Sequence, residues 1–262
     1  MIKSISINSL FVSIVIPFFN REIYLNRSIY SCLKQTFHDV EVICVDDSST
    51  DGSLKVVKTI QKQDHRIFYY EMKDHSGTNL VRYYGIHVAR GQFTMQLDSD
   101  DEFTPTIVEK IYMLTKTYTV DIIQFDAVVF RSIKDVRKWN FRIPPFSSTN
   151  NSQLIRAVLE NKIGWNLAFL CIRRTIYVKA LKYLKPYIFG SIICIQEDRL
   201  HAHTCFIFCN FYYYLHFVGY IYYRDHYSAI TNQSRCNGSG KARTILSKIY
   251  QNVLNVSYNK KF

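Results

Sequence analysis

The chain has 262 residues, 48% of them hydrophobic and 15% aromatic, with 9 Gly and 5 Pro against 20 Tyr and 18 Phe. That composition excludes disordered, collagen-like and low-complexity classes, which lack the apolar side chains needed to offset chain entropy, and it suffices for one large domain or two small ones. The net charge of +12 is uneven, since residues 1–130 hold 13 Lys or Arg and 16 Asp or Glu whereas residues 131–262 hold 20 and 5, so an anionic partner is expected at the second half: phospholipid headgroup, phosphorylated substrate or nucleic acid.

The first eleven residues contain one Lys and no uninterrupted apolar stretch, so a cleaved signal peptide is not expected. Residues 12–16, Val-Ser-Ile-Val-Ile, form a β-branched run that Pro17 closes, because proline has no N–H to give a ladder. Residues 24–36 place Leu25, Ile29, Cys32 and Leu33 at helical spacing, and residues 40–45 read as a strand again. Asp51-Gly52-Ser53 opens a second helix that runs to about residue 63, followed by a strand at 66–70 and a third helix at 78–89 between Gly77 and Gly91. A strand at 93–97 then runs into Asp98-Ser99-Asp100-Asp101. Alternation at this spacing predicts an α/β protein with a mostly parallel open sheet flanked by helices.

In such sheets ligands bind beyond the carboxyl ends of the strands. The loops 17–21, 46–51 and 98–102 lie there, and their carboxylates repel one another unless a cation or donor groups neutralise them. A divalent metal is the expected neutraliser. Asp98-x-Asp100 sets two hard oxygen donors on one side of a tight turn, a set suited to Mg2+ or Mn2+ completed by substrate phosphates. The competing reading is a solvated acidic turn in which Asp101 or Thr104 caps the next helix. Asp47, at its strand end, suits the N–H of a pyrimidine base, while the loop 46–51 also reads as an Asx turn and N-cap.

Three blocks of this half resemble glycosyltransferase family 2. They are VSIVIPFFNREIYLNRSIYSCLKQTFHDVEVICVDDSSTDGS at 12–53, Gly77-x4-Arg82-x2-Gly85-x5-Gly91, and FTMQLDSDD at 93–101. Fainter matches at Trp165-Asn166-Leu167, Arg173-Arg174, Glu197-Asp198, Tyr222-Tyr223-Arg224 and Ser228 extend the resemblance over residues 12–232. It implies a GT-A fold, with a Rossmann-like nucleotide-sugar half at residues 12–130 and a smaller mixed α+β acceptor-side half at 131–240. It further implies that Pro17, Asp47 and Arg82 help hold the nucleoside of a UDP-sugar, while Asp98 and Asp100 frame the ribose and a Mn2+ or Mg2+ ion, with Asp100 its direct ligand. Asp198, after Glu197, would be the general base that deprotonates the acceptor hydroxyl for in-line attack on the anomeric carbon, with inversion. The chain departs from the family's common pattern at His75-Ser76-Gly77, where Asn-x-Gly is frequent, and at Tyr83, where Asn is frequent.

Glu197 and Asp198 stand out without the resemblance, as two of five acidic residues after Arg131, directly behind the apolar run 190–196. The competing reading is a helix N-terminal pair or an ion pair with Arg199. His75, His201 and His203 read as satisfied core or surface histidines. Residues 205–223 have about the length that crosses a bilayer core. Asn210, His216 and Gly219 interrupt them, however, and residues 211–223 are aromatic and β-favouring, which predicts a helix end followed by a strand. Residues 131–142 are basic and, with the polar loop 144–152, suit an acceptor-side insertion, and Trp165 suits either sugar stacking or helix packing. Residues 241–262 carry five basic residues and no acid, with apolar residues at helical spacing, which predicts a basic amphipathic helix covering the domain or lying in a membrane interface. Seven cysteines without a Cys-x-x-Cys pair imply neither a zinc site nor a complete disulfide framework, hence a reducing compartment.

The expected function is transfer of a hexose or N-acetylhexosamine from a UDP-sugar to a hydroxyl of a glycan or lipid-linked glycan, in surface polysaccharide or lipo-oligosaccharide synthesis. The expected place is the cytoplasm, with peripheral contact of the basic half at the inner face of the cytoplasmic membrane. The competing class is a basic nucleic-acid-binding module without transferase activity. Here the aromatic residues follow strand and helix periods and belong to the core, so nucleic acid is not an expected partner. A pyrophosphorylase or dinucleotide oxidoreductase needs a Gly-rich phosphate loop after the first strand, which Pro17-Phe18-Phe19-Asn20 does not supply.

Overall fold

The computed structural model describes residues 10–139, 147–160, 163–164, 166–189, 197–224, 248–249 and 251. Its elements are β1 (Val12–Phe18), α1 (Glu22–Leu33), β2 (Val40–Asp46), α2 (Ser53–Gln61), β3 (Ile67–Glu71), α3 (Thr78–Val88), β4 (Phe93–Gln96), β5 (Glu102–Phe103) and α4 (Ile107–Thr117). There follow β6 (Ile122–Ser132), β7 (Asp135–Lys138), α5 (Asn151–Leu159), β8 (Leu170–Arg173), α6 (Arg174–Ile188), α7 (Glu197–Phe208) and β9 (Tyr212–Tyr223). They share one sheet in the order β3-β2-β1-β4-β8-β6-β9-β5, with β7 paired to β6. The first four strands are parallel, β8 is antiparallel to both β4 and β6, and β6 and β9 are again parallel. The sheet therefore draws strands from both sides of residue 130.

β1 runs one residue beyond the proline expected to end it. Its pairing with β4 stops at Val15 and Gln96, while its pairing with β2 continues through Pro17 and Phe18. Pro17 thus sits where the strand has a partner on one side only, the situation in which a missing N–H removes no ladder bond.

The period of two along the strands divides the core into two layers. Val15, Ile43 and Val45 face α3, α5, α6 and α7, whereas Ile14, Ile16, Val42 and Cys44 face α1, α2 and α4. All are buried, and each such side chain removed from water contributes about 1.5–3 kcal/mol. The large aromatics predicted for the core are inside it, among them Phe93, Phe103, Phe125, Phe169, Tyr177, Phe206, Tyr212 and Tyr220. α7 ends at Phe208 and β9 begins at Tyr212, the predicted break in the 205–223 stretch. Among the described residues no helix is long and apolar enough to cross a membrane. Cys32, Cys44, Cys171, Cys205 and Cys209 are free and buried. The basic stretch after Arg131 begins as an exposed β6–β7 hairpin, with Ile133 at its tip in solvent. Trp165, Cys194, Cys236, the run 190–196, Ser228 and nearly all of the expected helix at 241–262 lie outside the described residues.

Two glycines of the 77–91 block have identifiable structural reasons. A Cβ on Gly85 would strike Val15 on β1, so its absence lets α3 lie close against the sheet. At Gly91 a Cβ would stand 2.6 Å from the backbone nitrogen of Ser13. The same approach lets the Gly91 N–H donate to Ser13 Oγ at 2.8 Å, and Ser13 in turn donates to the buried Glu41 carboxylate at 2.6 Å. Arg90 completes the cluster through its N–H and Nε, each 2.8 Å from Glu41. Because backbone cannot yield as a flexible side chain can, Gly91→Ala is expected to lower stability by about 1–3 kcal/mol. Urea unfolding measures this, and an unchanged midpoint would show that the β1–β4 contact is looser than described.

Candidate active site

Since β1, β2 and β4 are parallel neighbours, the loops that leave them open on one edge. There Asn20, with φ of 51°, uses its side-chain oxygen to accept the Thr50 N–H at 2.8 Å and so joins the first two loops. Asp47, directly after β2, is buried. Its carboxylate accepts the Ser76 N–H at 2.7 Å and the Gly77 N–H at 2.9 Å, and His75 Nδ1 lies 3.0 Å from it. Gly77 reaches it through a φ of 83°, the left-handed region that glycine occupies without strain. His75 also packs against Phe19, ring centroids 4.2 Å apart. Asp47 therefore fastens the start of α3 to the end of β2, and Phe19 and His75 lie beside it.

The carboxylates of this edge do not share one task. Asp46 accepts from the N–H and Oγ of Ser49, and Asp51 accepts from the N–H groups of Ser53 and Glu22. These two are turn and helix-start ligands, as the Asx-turn reading has it. Asp101 is fully buried and accepts from Tyr220 Oη at 2.6 Å and the Tyr223 N–H at 2.8 Å, which pins the acidic turn to β9. Neutralisation by a metal is thus unnecessary for Asp46, Asp51 and Asp101, because protein donors already serve them. Asp98 and Asp100 remain half-exposed at the edge. Arg27 of α1 braces this turn, donating to the Asp100 carbonyl, pairing with Glu102 at 3.3 Å and stacking over the Tyr223 ring at 3.6 Å.

Opposite that turn, the fold brings in the acid pair of the second half. Arg82 on α3 is 3% exposed, and its Nη2 lies 2.8 Å from Asp98 Oδ1 and 3.2 Å from Asp198 Oδ1 in the first turn of α7. Its Nη1 donates to Gln96 on β4 at 3.3 Å. Burial opposes the guanidinium charge, but Asp198, Asp98 and Glu197 outweigh it and hold Arg82 firmly protonated. Burial pushes Asp198 up to about 6, with Arg82 pulling it down and Asp98 pushing it further up. Glu197 is pushed up as well, by burial and by the neighbouring Asp198 charge. Burial thus pushes both acids of the pair up, and the Arg82 charge opposes that shift at each. His201 is buried and bonded at both ring nitrogens, the satisfied core histidine of the sequence reading.

Asp47, Arg82, Asp98, Asp100 and Asp198 thus share the edge where β1, β2 and β4 end, with Pro17 buried in the penultimate position of β1. Among the described residues no three His, Cys, Asp or Glu side chains form a metal-holding cluster. Asp98 and Asp100 do fit an ion that takes its other ligands from a substrate. Asp100 is pushed up to about 6 by burial and by the Asp98 charge, a shift that a divalent cation beside it would oppose. Sequence reasoning missed Arg27, Gln96, Tyr220, Asn79 and Tyr177, whose contacts with the site span 14 to 122 positions in the chain and leave no local pattern.

A model of the family "Glycosyl transferase family 2" matches residues 13–181, more than half of the chain. The chain is 29% identical over 198 residues to a Campylobacter jejuni GalNAc(5)-diNAcBac-PP-undecaprenol beta-1,3-glucosyltransferase, covering 68% of this chain and 62% of that one. It is 27% identical over 216 residues to the cholesterol galactosyltransferase of Borreliella burgdorferi, covering 79% and 60%. It thus spans less than two thirds of either relative. Among solved structures, Staphylococcus aureus TarS 1-349 in complex with UDP-GlcNAc superposes with a TM-score of 0.67 at 18% identity, covering 86% of this chain and 62% of that one. That likeness shows the fold, an α/β architecture of GT-A type. The chain belongs to glycosyl transferase family 2.

Replacing Asp47 by Ala leaves the Ser76 and Gly77 N–H groups without their acceptor, a loss of about 1–3 kcal/mol. Thermal melting is expected to drop for Asp47→Ala and less for Asp47→Asn, which keeps one acceptor oxygen. Equal melting of all three proteins would refute the fastening role.

Proposed function

We propose that this family 2 glycosyltransferase moves a hexosyl or N-acetylhexosaminyl group from a UDP-sugar to an acceptor hydroxyl, with inversion, in the assembly of a surface glycan. One observation carries the reading: Arg82 joins the Asp98-x-Asp100 turn to Asp198, so donor-side and acceptor-side acids meet across a single guanidinium. In this reading Asp47 and Pro17 line the nucleoside side. Asp198 accepts the proton of the acceptor hydroxyl as its oxygen bonds to the anomeric carbon and the bond to UDP breaks. The Arg82 charge favours the ionised form of Asp198 that a base requires, against burial, which pushes Glu197 beside it toward its neutral form. Asp98 and Asp100 would hold Mn2+ or Mg2+, whose chemistry is to offset the charge growing on the departing diphosphate.

One relative described above is named for sugar transfer to an undecaprenol-linked glycan, which supports a glycan as acceptor, and the other is named for transfer to cholesterol, so what the two share is an acceptor that is, or is carried on, a lipid. A lipid-linked acceptor would place the enzyme at the cytoplasmic face of a membrane, toward which the basic second half is attracted.

The test is UDP release from UDP-glucose, UDP-galactose and UDP-N-acetylglucosamine with Mn2+. Asp198→Asn is expected to lower kcat by about 10²–10⁴-fold, the range of a lost general base, and Asp100→Ala or EDTA to abolish turnover. Because the base works only when deprotonated, kcat/KM should fall about tenfold per pH unit below about 6, where Asp198 takes up its proton. Failure of every UDP-sugar to release UDP or to raise the melting temperature sinks the assignment.

A further inference from the structure

Asp198 and Arg82 form one of two rungs between α7 and α3. Three residues further along α7, His201 places Nε2 2.7 Å from Oδ1 of Asn79, which lies three residues before Arg82 on α3. The spacing of three puts each helix's pair on one face, so the rungs are stacked one turn apart. From α6, Tyr177 Oη lies 2.8 Å from the other imidazole nitrogen, Nδ1, with the two rings edge to face at 5.7 Å. His201, Asn79 and Tyr177 are 0%, 4% and 1% exposed. With Asn79 Oδ1 as acceptor, Nε2 carries the ring proton and Nδ1 accepts from the Tyr177 hydroxyl.

Around this triad Leu200, Ala202, Cys205 and Phe206 of α7 join the apolar core layer, and the far end of the helix is held by Asn151 of α5, which donates to the Ile207 carbonyl at 3.0 Å. Apolar contact holds a helix against its neighbours without fixing its height or rotation, because it has no preferred direction. Hydrogen bonds at both ends of one ring do fix them, and in a dry interior they are enforced by the cost of leaving either end unmade. Burial, assisted by the Arg82 charge, also keeps the imidazole neutral, its pKa lowered to about 3. It therefore does not compete with Arg82 for the Asp198 carboxylate.

We propose that Asn79, His201 and Tyr177 are positioning residues that set the register of the first turn of α7, and thereby the aim of the Asp198 carboxylate at the acceptor hydroxyl. The proposal rests on Asp198 being the base. A displacement of about 1 Å at a reacting group costs on the order of 100-fold in rate, so the triad matters to catalysis without touching substrate.

The test uses the full chain, Mn2+, whichever of the three UDP-sugars the wild type turns over, and a p-nitrophenyl glycoside as acceptor. Tyr177→Phe, which removes one hydroxyl, and His201→Phe, which removes both bonds, are each compared alone and in the Asp198→Asn background. Expected is a fall in kcat of about 100-fold for His201→Phe, a smaller fall for Tyr177→Phe, and a KM for the UDP-sugar within twofold of wild type. In the Asp198→Asn background neither change should lower kcat further, because there is no base left to aim. A kcat within threefold of wild type for both variants overturns the proposal. So does an undiminished loss in the Asp198→Asn background, which marks a structural role. If His201→Phe does not fold, Tyr177→Phe decides by the same two criteria. Wild-type transfer lost on Asp198→Asn but unaffected by the triad sinks only this inference, whereas wild-type activity that survives Asp198→Asn sinks the reading of the base.

Discussion

The site depends on one buried cation. Removing a guanidinium from water costs several kcal/mol unless carboxylates surround it, and Arg82 meets that condition only because Asp98 and Asp198 come within hydrogen-bond reach of the same nitrogen. The dependence is mutual. Without Arg82 two carboxylates would face each other in a poorly solvated place, and each would be driven toward its neutral form. The end of β4, the middle of α3 and the start of α7 are therefore held to one another by a charge balance as well as by their apolar faces. A glycine at position 85 contributes by letting α3 approach the sheet.

The acids of the edge divide by what already satisfies them. Asp46, Asp47, Asp51 and Asp101 accept from backbone N–H groups of their own or of neighbouring segments, and they hold the edge in shape. Asp98, Asp100 and Asp198 retain carboxylate oxygens not used in this way. Residue type alone does not separate the two groups, because an Asp that caps a turn and an Asp that could bind a ligand look the same in a string of letters.

This is also why the first half was more legible than the second. β-branched runs such as Val12 to Ile16 and Val40 to Val45, buried on both faces, announce parallel strands, and the helix between them shows its own period. Asp98 and Asp100 could be picked out because the chemistry that suits them is contained in three consecutive residues. Glu197 and Asp198 could be picked out because acids are scarce in a basic half. His201, by contrast, was recognised as a satisfied histidine without its partners, since Tyr177 and Asn79 stand 24 and 122 positions away and pair with it only through the packing of α6 and α3 on α7. The extension of β1 past Pro17 was hidden for a similar reason, as it depends on β4 being shorter than β2.

The distribution of charge bears on how a diphosphate could settle at this edge. Arg82 stands at the strand ends, and its charge is already matched by Asp98 and Asp198. Asp100 adds a further negative group, which the charges of Arg21 and Arg27 oppose, Arg27 also donating to its carbonyl. Among the described residues Asp98, Asp100, Asp101, Glu102 and Asp198 therefore outnumber the cations Arg21, Arg27 and Arg82 that face them. Of the second half's excess charge, Arg224 acts on the same Tyr222 ring as Asp98, Asp100 and Asp101, whereas exposed charges farther away are screened beyond about 8 Å at physiological salt. Long-range attraction and short-range neutralisation are thus separate tasks: basic side chains can gather an anionic substrate or surface, and the last step onto a carboxylate pair would call for a compact divalent charge between the two anions. That requirement follows from Coulomb's law at a few ångströms, and it is the physical ground for proposing Mn2+ or Mg2+ at Asp98 and Asp100.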